Sequence, residues 1–449
     1  MRRHPPGPNG VPFFGNTHQY AADPFSFMDA CADAYGDVVQ FDMGPQPLYM
    51  LTNPRDIERV LVSESAAFPK LDLGDDAIDR LLGDGLLTSS GKRWKQSRQR
   101  AAPAFRSGRI NTLAEMMSAH TETALTEWSS GERIDINVEM ARLTVRIIVS
   151  AMFGSKLEDD RIEAIQTHLE PLGARFEPDP FSRLIPEWAP TQKNREFDAA
   201  VAALEAIIEE LVGARRRTAH GTGGDEPMDL LSILLRAQQR GETTEADIRD
   251  EMMTMLLAGH DTTALMLTYT WYLLSRHPAA ERRFHTELEE VLGSKRPTAA
   301  DSRQLEYTQR VLNEAMRLYP PVYTLFRETT LDCEFGGYRI PAGAGLMLPQ
   351  WVVHRSARWY DNPEQFNPDR WRADQRSQRP RFAFFPFGGG PRHCIGKQFS
   401  MLEATVILAT VGQTYRLEHL GDDQLQLRGS LTMHPDEPVA MRVRKRNSS

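Results

Sequence analysis

The chain has 449 residues, 41% of them hydrophobic and 25% charged, with a mean hydropathy of -0.46. These are globular proportions, and a formal net charge of -8 argues against a nucleic-acid binder. No run of eighteen apolar residues occurs, so no transmembrane anchor is expected. Met1-Arg2-Arg3-His4-Pro5-Pro6 lacks the apolar stretch of a signal peptide. Three cysteines, Cys31, Cys333 and Cys394, give no disulfide framework and suit the reducing cytoplasm.

In chain order, Pro5-Pro6-Gly7-Pro8 makes a stiff, extended lead-in. Val38-Val39-Gln40-Phe41 and Leu48-Tyr49-Met50-Leu51 flank Gly44-Pro45, which predicts a β-hairpin, and Asn53-Pro54 predicts the start of a short helix through Val62. Leu71 to Ser90 is rich in glycine and aspartate and reads as a long loop, with Ser90 as N-cap of the next helix. That helix puts Trp94 and Arg98 at i and i+4, on one face. Asn111 to Phe153 reads as mostly helical, interrupted at Gly131. Pro171 to Pro190, broken by Pro171, Pro178, Pro180 and Pro186, reads as an irregular apolar link.

Thr244 to Arg276 is the longest helical pattern, with Ala258-Gly259-His260-Asp261-Thr262-Thr263 at its centre. A glycine and two threonines weaken a helix, so a defect placed there needs a compensating role. Asp301 to Tyr319 reads as one further helix ended by Pro320-Pro321, carrying Glu314 and Arg317 at i and i+3. Tyr323 to Arg327, Gly337 to Gly343, Tyr415 to Leu417 and Val439 to Val443 read as strands.

The most informative stretch is Phe387-Gly388-Gly389-Gly390-Pro391-Arg392-His393-Cys394-Ile395-Gly396. Its glycines and proline exclude helix and central strand, so Cys394 leaves a tight turn just before a helix from Lys397 to Val411. A thiol before a helix N-terminus, near a cation such as Arg392, is expected to have a lowered pKa and to present thiolate, the form that ligates metal.

Phe-x-x-Gly-x-Arg-x-Cys-x-Gly resembles the haem-binding signature of the cytochrome P450 family. Trp94-x-x-x-Arg98, Ala258-Gly-x-Asp-Thr-Thr263 and Glu314-x-x-Arg317 are similar to further motifs of that family, so the resemblance spans the chain as a single domain, 1–449. It implies a mainly α fold with small β-sheets, with haem b (iron protoporphyrin IX) between the long central helix and the Cys-loop helix. Cys394 would be the axial iron ligand. Trp94, Arg98, Arg327 and Arg392 would hold the haem. Ala258 and Gly259 would leave room for dioxygen, with Asp261 and Thr262 catalytic in supplying protons and hydrogen bonds. Glu314, Arg317 and Arg370 would form a structural trio, although Asp369 and Trp371 flank Arg370 where the family usually has Glu and Phe. The segment from Leu71 to Ser90 would roof a substrate pocket and the proline-broken link would be its lid. Leu81, Leu86, Phe181, Met253, Leu257, Ala258, Leu325 and Met433 would line it.

The resemblance thus implies a monooxygenase that inserts one atom of dioxygen into a C–H or C=C bond of a hydrophobic small molecule. A thiolate ligand favours O–O cleavage. With no GxGxxG fingerprint and no length for a flavin domain, electrons are expected from a ferredoxin or flavodoxin with its reductase, docked on Lys92, Arg93, Lys95, Arg100, Arg392 and Lys397. A peroxide-dependent peroxygenase fits less well because Asp261 and Thr262 are both present. A non-catalytic haem-thiolate sensor would not need the roof and lid. The style of the motifs resembles fatty-acid, terpenoid and carotenoid hydroxylases.

Overall fold

The computed structural model describes residues 4–72, 76–154, 158–177, 189, 191–219, 228–421 and 424–446. Its axis is an unbroken helix, Glu245–Arg276, of 32 residues, about 48 Å long. Thr244 and Asp247 start it with a reciprocal capping box, each accepting the other's backbone N–H. Apolar residues occur on every side because helices enclose it; Met252, Leu256, Leu265 and Leu273 are all buried. Its threonines keep the helix intact by bonding back one turn: Thr262 Oγ1 donates to the Ala258 carbonyl at 2.9 Å and Thr268 Oγ1 to Ala264 at 2.8 Å.

Among the helices that share this core are Ile136–Ile148, Glu306–Leu318 and Lys397–Thr414. Two small sheets flank it. One orders Val38–Met43, Gln46–Leu51, Gly345–Pro349 and Thr324–Glu328; its first and last pairings are antiparallel and the central one is parallel. The other orders Arg133–Asp135, Ala440–Lys445 and Tyr415–His419. Two two-stranded hairpins complete the strands among the described residues, Cys333–Phe335 with Tyr338–Ile340 and Leu427–Gly429 with Met433–Pro435.

Four expectations need correction. Leu71 to Ser90 is not all loop: Asp76–Leu82 is helical and buries Ala77, Leu81 and Leu82, while Asp76 and Asp79 favour its first turn. Ser90 is the N-cap by position, but its side chain is exposed and makes no capping bond. The expected helix from Asp301 breaks into Ala299–Ser302 and Glu306–Leu318. The second starts where Glu287, from a neighbouring helix, accepts the N–H groups of Tyr307 and Thr308. Pro171 lies inside a helix, Asp159–Arg175, rather than in a link. The rest of that link, from 178 to 188, and with it Phe181, lies outside the described residues.

Candidate functional site

The cysteine loop is held by its own backbone. Gly388 and Gly390 adopt left-handed φ values of 67° and 65°. A Cβ on Gly390 would lie 1.8 Å from the Leu61 carbonyl oxygen, so no larger residue fits. Cys394 N–H closes the turn onto the Phe387 carbonyl at 2.9 Å, and Gly396 caps the Lys397–Thr414 helix. The Cys394 thiol is accessible within a cleft of about 260 Å³ whose walls include Arg98, Ala102, Phe105 and Ile395.

Protein packed around that cleft pushes the thiol pKa up, against the Gly396 N–H, the Arg98 guanidinium and Lys397, which pull it down. The expectation of a lowered pKa is therefore corrected: desolvation outweighs the helix terminus in the chain by itself. Coordination would remove the proton outright.

Around the loop stand four cations. Arg98 donates to the His393 carbonyl at 2.8 Å, Arg327 to the Phe326 carbonyl at 2.7 Å, and Arg392 to the Ser89 carbonyl at 2.7 Å while lying 4.5 Å over the Trp94 ring. The fourth, Lys70, escaped the sequence reading; it donates to the Leu87 carbonyl at 2.6 Å. Among the described residues none of the four is paired with a carboxylate. Burial and the neighbouring Arg392 drive Arg327 down to about 10; burial, then Arg392 and Arg327, drive Lys70 down to about 8. Crowded, desolvated cations of this kind call for anions.

On the long helix, Ala258 is exposed, and Leu257 and Thr262 are partly so. Gly259 does not share their face. A Cβ there would lie 2.6 Å from Ile148 Cδ1, so this glycine serves close packing against the Ile136–Ile148 helix rather than room at the site. Asp261 reaches the hairpin: its Oδ2 accepts from Thr432 Oγ1 at 2.6 Å and lies 3.5 Å from His434 Nε2. Burial alone would raise its pKa, but His434, His260 and Thr432 hold it down at about 2.

Leu325 is partly accessible beside the loop, 3.5 Å from where a Gly388 Cβ would stand. Leu81, Leu86, Met253 and Met433 are buried, the first three in the main core and Met433 among Tyr20, Tyr269 and Tyr323. Of the expected pocket residues that are described, Leu257, Ala258 and Leu325 are the accessible ones.

Glu314 and Arg317, both 0% exposed, form a bidentate pair at 2.8 and 2.9 Å, and Arg370 Nε donates to Glu314 at 3.2 Å. Trp371 explains its own departure from the family pattern, since its indole N–H donates to Glu314 Oε2 at 2.9 Å. Asp369 turns outward to Arg283.

The cytochrome P450 family model matches residues 5–441. The chain belongs to the cytochrome P450 family. It is 35% identical to cyclooctatin synthase of Streptomyces melanosporofaciens, with 96% of this chain and 94% of that protein covered. It is 30% identical to pentalenene oxygenase of Streptomyces avermitilis, covering 98% and 97%. Cyclooctat-9-en-7-ol 5-monooxygenase, also from S. melanosporofaciens, is 33% identical, covering 91% and 88%. The crystal structure of the cytochrome P450DA haem domain superposes with a TM-score of 0.88 at 28% identity, covering 100% of this chain and 99% of that one.

This P450 is accordingly a haem-thiolate monooxygenase with haem as cofactor, and its electrons come from a redox partner. Its residues fit that group: one accessible thiol for iron and, for the propionates, four cations that no carboxylate among the described residues pairs. No helix among the described residues is long and apolar enough to cross a membrane.

Proposed function

We propose that this P450, acting as one domain in the cytoplasm, hydroxylates a largely apolar terpenoid. The observation that carries the reading is the accessible face of the long helix, where apolar Leu257 and Ala258 adjoin a single partly accessible hydroxyl, Thr262. Relatives named for cyclooctat-9-en-7-ol and pentalenene support the substrate class. A largely apolar face orients a hydrocarbon by shape and excludes water from the reacting carbon.

Bound beside Cys394, haem supplies the activation of dioxygen. Cys394 offers sulfur to the iron. Lys70, Arg98, Arg327 and Arg392 neutralise the propionates, with Trp94 flooring Arg392. Thr262, whose proton goes to the Ala258 carbonyl, offers its hydroxyl oxygen as an acceptor on the reacting side, and Asp261 carries protons towards it from the hairpin. Glu314, Arg317 and Arg370 hold the segment that carries the cysteine loop. Electron delivery by a ferredoxin or flavodoxin rests on Lys92, Lys95 and Lys397. Arg93 is engaged with Asp84 and Asp247, and Arg100 with the Glu242 carbonyl, so neither is offered to a partner.

Spectral titration of the haem-loaded enzyme tests the substrate class. Cyclic terpene hydrocarbons should shift the Soret band at micromolar concentration. Saturation by straight-chain fatty acids alone would sink the proposal.

A further inference from the structure

The Asp261 carboxylate is held from the far side by two groups of the hairpin. Thr432 Oγ1 is 2.6 Å from Asp261 Oδ2 and 2.8 Å from His434 Nε2. An ionised carboxylate only accepts, so the single Thr432 hydroxyl proton points to Asp261. Its oxygen must then accept from His434, which places the imidazole proton on Nε2. The three side chains therefore form a directed chain of donors, His434 to Thr432 to Asp261.

The hairpin does not rest there loosely. Tyr269 Oη, from the long helix, donates to the Met433 carbonyl at 2.6 Å, and Met433 N–H donates to the Pro321 carbonyl at 2.8 Å. The His434 side chain is 24% exposed and that of Asp261 26%, so the donor chain is accessible at both ends, and His434 Nε2 also lies 3.5 Å from Asp261 Oδ2. An anion held near 2 carries no proton of its own at neutral pH. Imidazole is the side chain that takes and gives one there.

We propose that His434 is the solvent-side donor of a proton relay running from its Nε2 through Thr432 Oγ1 to Asp261 Oδ2, feeding the Thr262 face of the long helix. It rests on the reading of Asp261 as proton carrier. One N–H bond breaks at Nε2 as an O–H bond forms at Thr432, while the former Thr432 proton bonds to Oδ2. Solvent first charges the resting Nε2–H imidazole at Nδ1; imidazolium then becomes Nδ1–H imidazole, carboxylate becomes carboxylic acid, no electrons move, and exchange with bulk water returns the ring to its resting Nε2–H form. The titratable and charged groups around it are Asp261, His260 and Tyr269 of the long helix. From the hairpin comes Arg428, paired in register with His434 and itself engaged with Glu177 and Asp436.

Two measurements test the relay on the full haem-loaded chain. Nitrogen-15 NMR of the ferrous carbon-monoxide form should place the His434 proton on Nε2, and Thr432→Val should release that preference. An Nδ1–H tautomer in the wild type overturns the relay without reference to activity. NADPH oxidation without added substrate, driven by a heterologous ferredoxin and its reductase, is then compared in H₂O and D₂O. Asp261→Asn and His434→Gln should each slow it at least about tenfold, with a larger solvent isotope effect. Glutamine keeps an N–H for Thr432 yet carries no exchangeable charge, so a merely structural His434 would leave rate and pH profile unchanged. Slowing by Asp261→Asn alone refutes the relay and leaves Asp261 as carrier. Slowing by neither refutes both.

Discussion

Replacing Glu251 with glutamine should change the stability of this P450 only above mildly acidic pH. Glu251 lies on the long helix, 3% exposed, where its Oε2 accepts the Leu86 N–H at 3.2 Å. Burial first, then Asp247 and Asp250, raises its pKa from 4.5 to about 7, against Leu86 and Arg100. The folded chain therefore holds this proton more tightly than the unfolded one. Below pH 4.5 the side chain is neutral in both states and its full contribution is present. Between 4.5 and 7 only the unfolded state ionises, and that contribution is lost. A shift of this size corresponds to on the order of 3 kcal/mol above pH 7. For a chain of 449 residues this is about 3 °C in midpoint. Glutamine keeps the acceptor for Leu86 and never ionises. Thermal unfolding of the haem-loaded pair, followed by circular dichroism from pH 5 to 8, should show E251Q within about 1 °C of wild type at pH 5 and about 3 °C above it at pH 8. A constant offset at every pH would refute the assignment of this ionisation to Glu251.

Gly259→Ala should cost about 1–3 kcal/mol through Ile148 Cδ1 and Cγ1, and clearly less in an Ile148→Ala background that lacks both atoms; an equal cost there contradicts the packing role. Glu314→Gln leaves Arg317 and Arg370 buried without a counter-charge, so unfolding should fall by about 3–5 kcal/mol; a change under about 1 kcal/mol would show the trio dispensable. Lys70→Met should speed transfer of haem to apomyoglobin by roughly tenfold or more, the worth of one charge-assisted hydrogen bond, and an unchanged rate removes Lys70 from the site.

The long helix was legible because its signals are local: apolar residues recur on both sides of the central Gly259 to Thr263 segment, with no proline from Thr244 to Arg276. The cysteine loop was legible because its turn geometry admits so few residues that the spacing itself is distinctive. What escaped depends on contacts between distant segments. Nothing beside Lys70 marks it; its depressed pKa comes from burial and from Arg392 and Arg327, far along the chain. His434 sits on a three-residue strand, too short for any periodicity, and acquires meaning only through Asp261. The direction of Gly259 was misread for a related reason: composition shows that a residue is small, whereas only the crossing of two helices shows what fills the space. Asp76–Leu82 hid in a segment whose aspartates and glycines suggested loop, though the aspartates favour its first turn.

The central claim is that Cys394 gives its sulfur to the iron. The ferrous carbon-monoxide spectrum tests it most directly, since thiolate ligation red-shifts the Soret band and imidazole ligation does not. The wild type should show the red-shifted band and Cys394→Ser should lose it. A Cys394→Ser variant that binds haem and keeps that band would contradict the assignment.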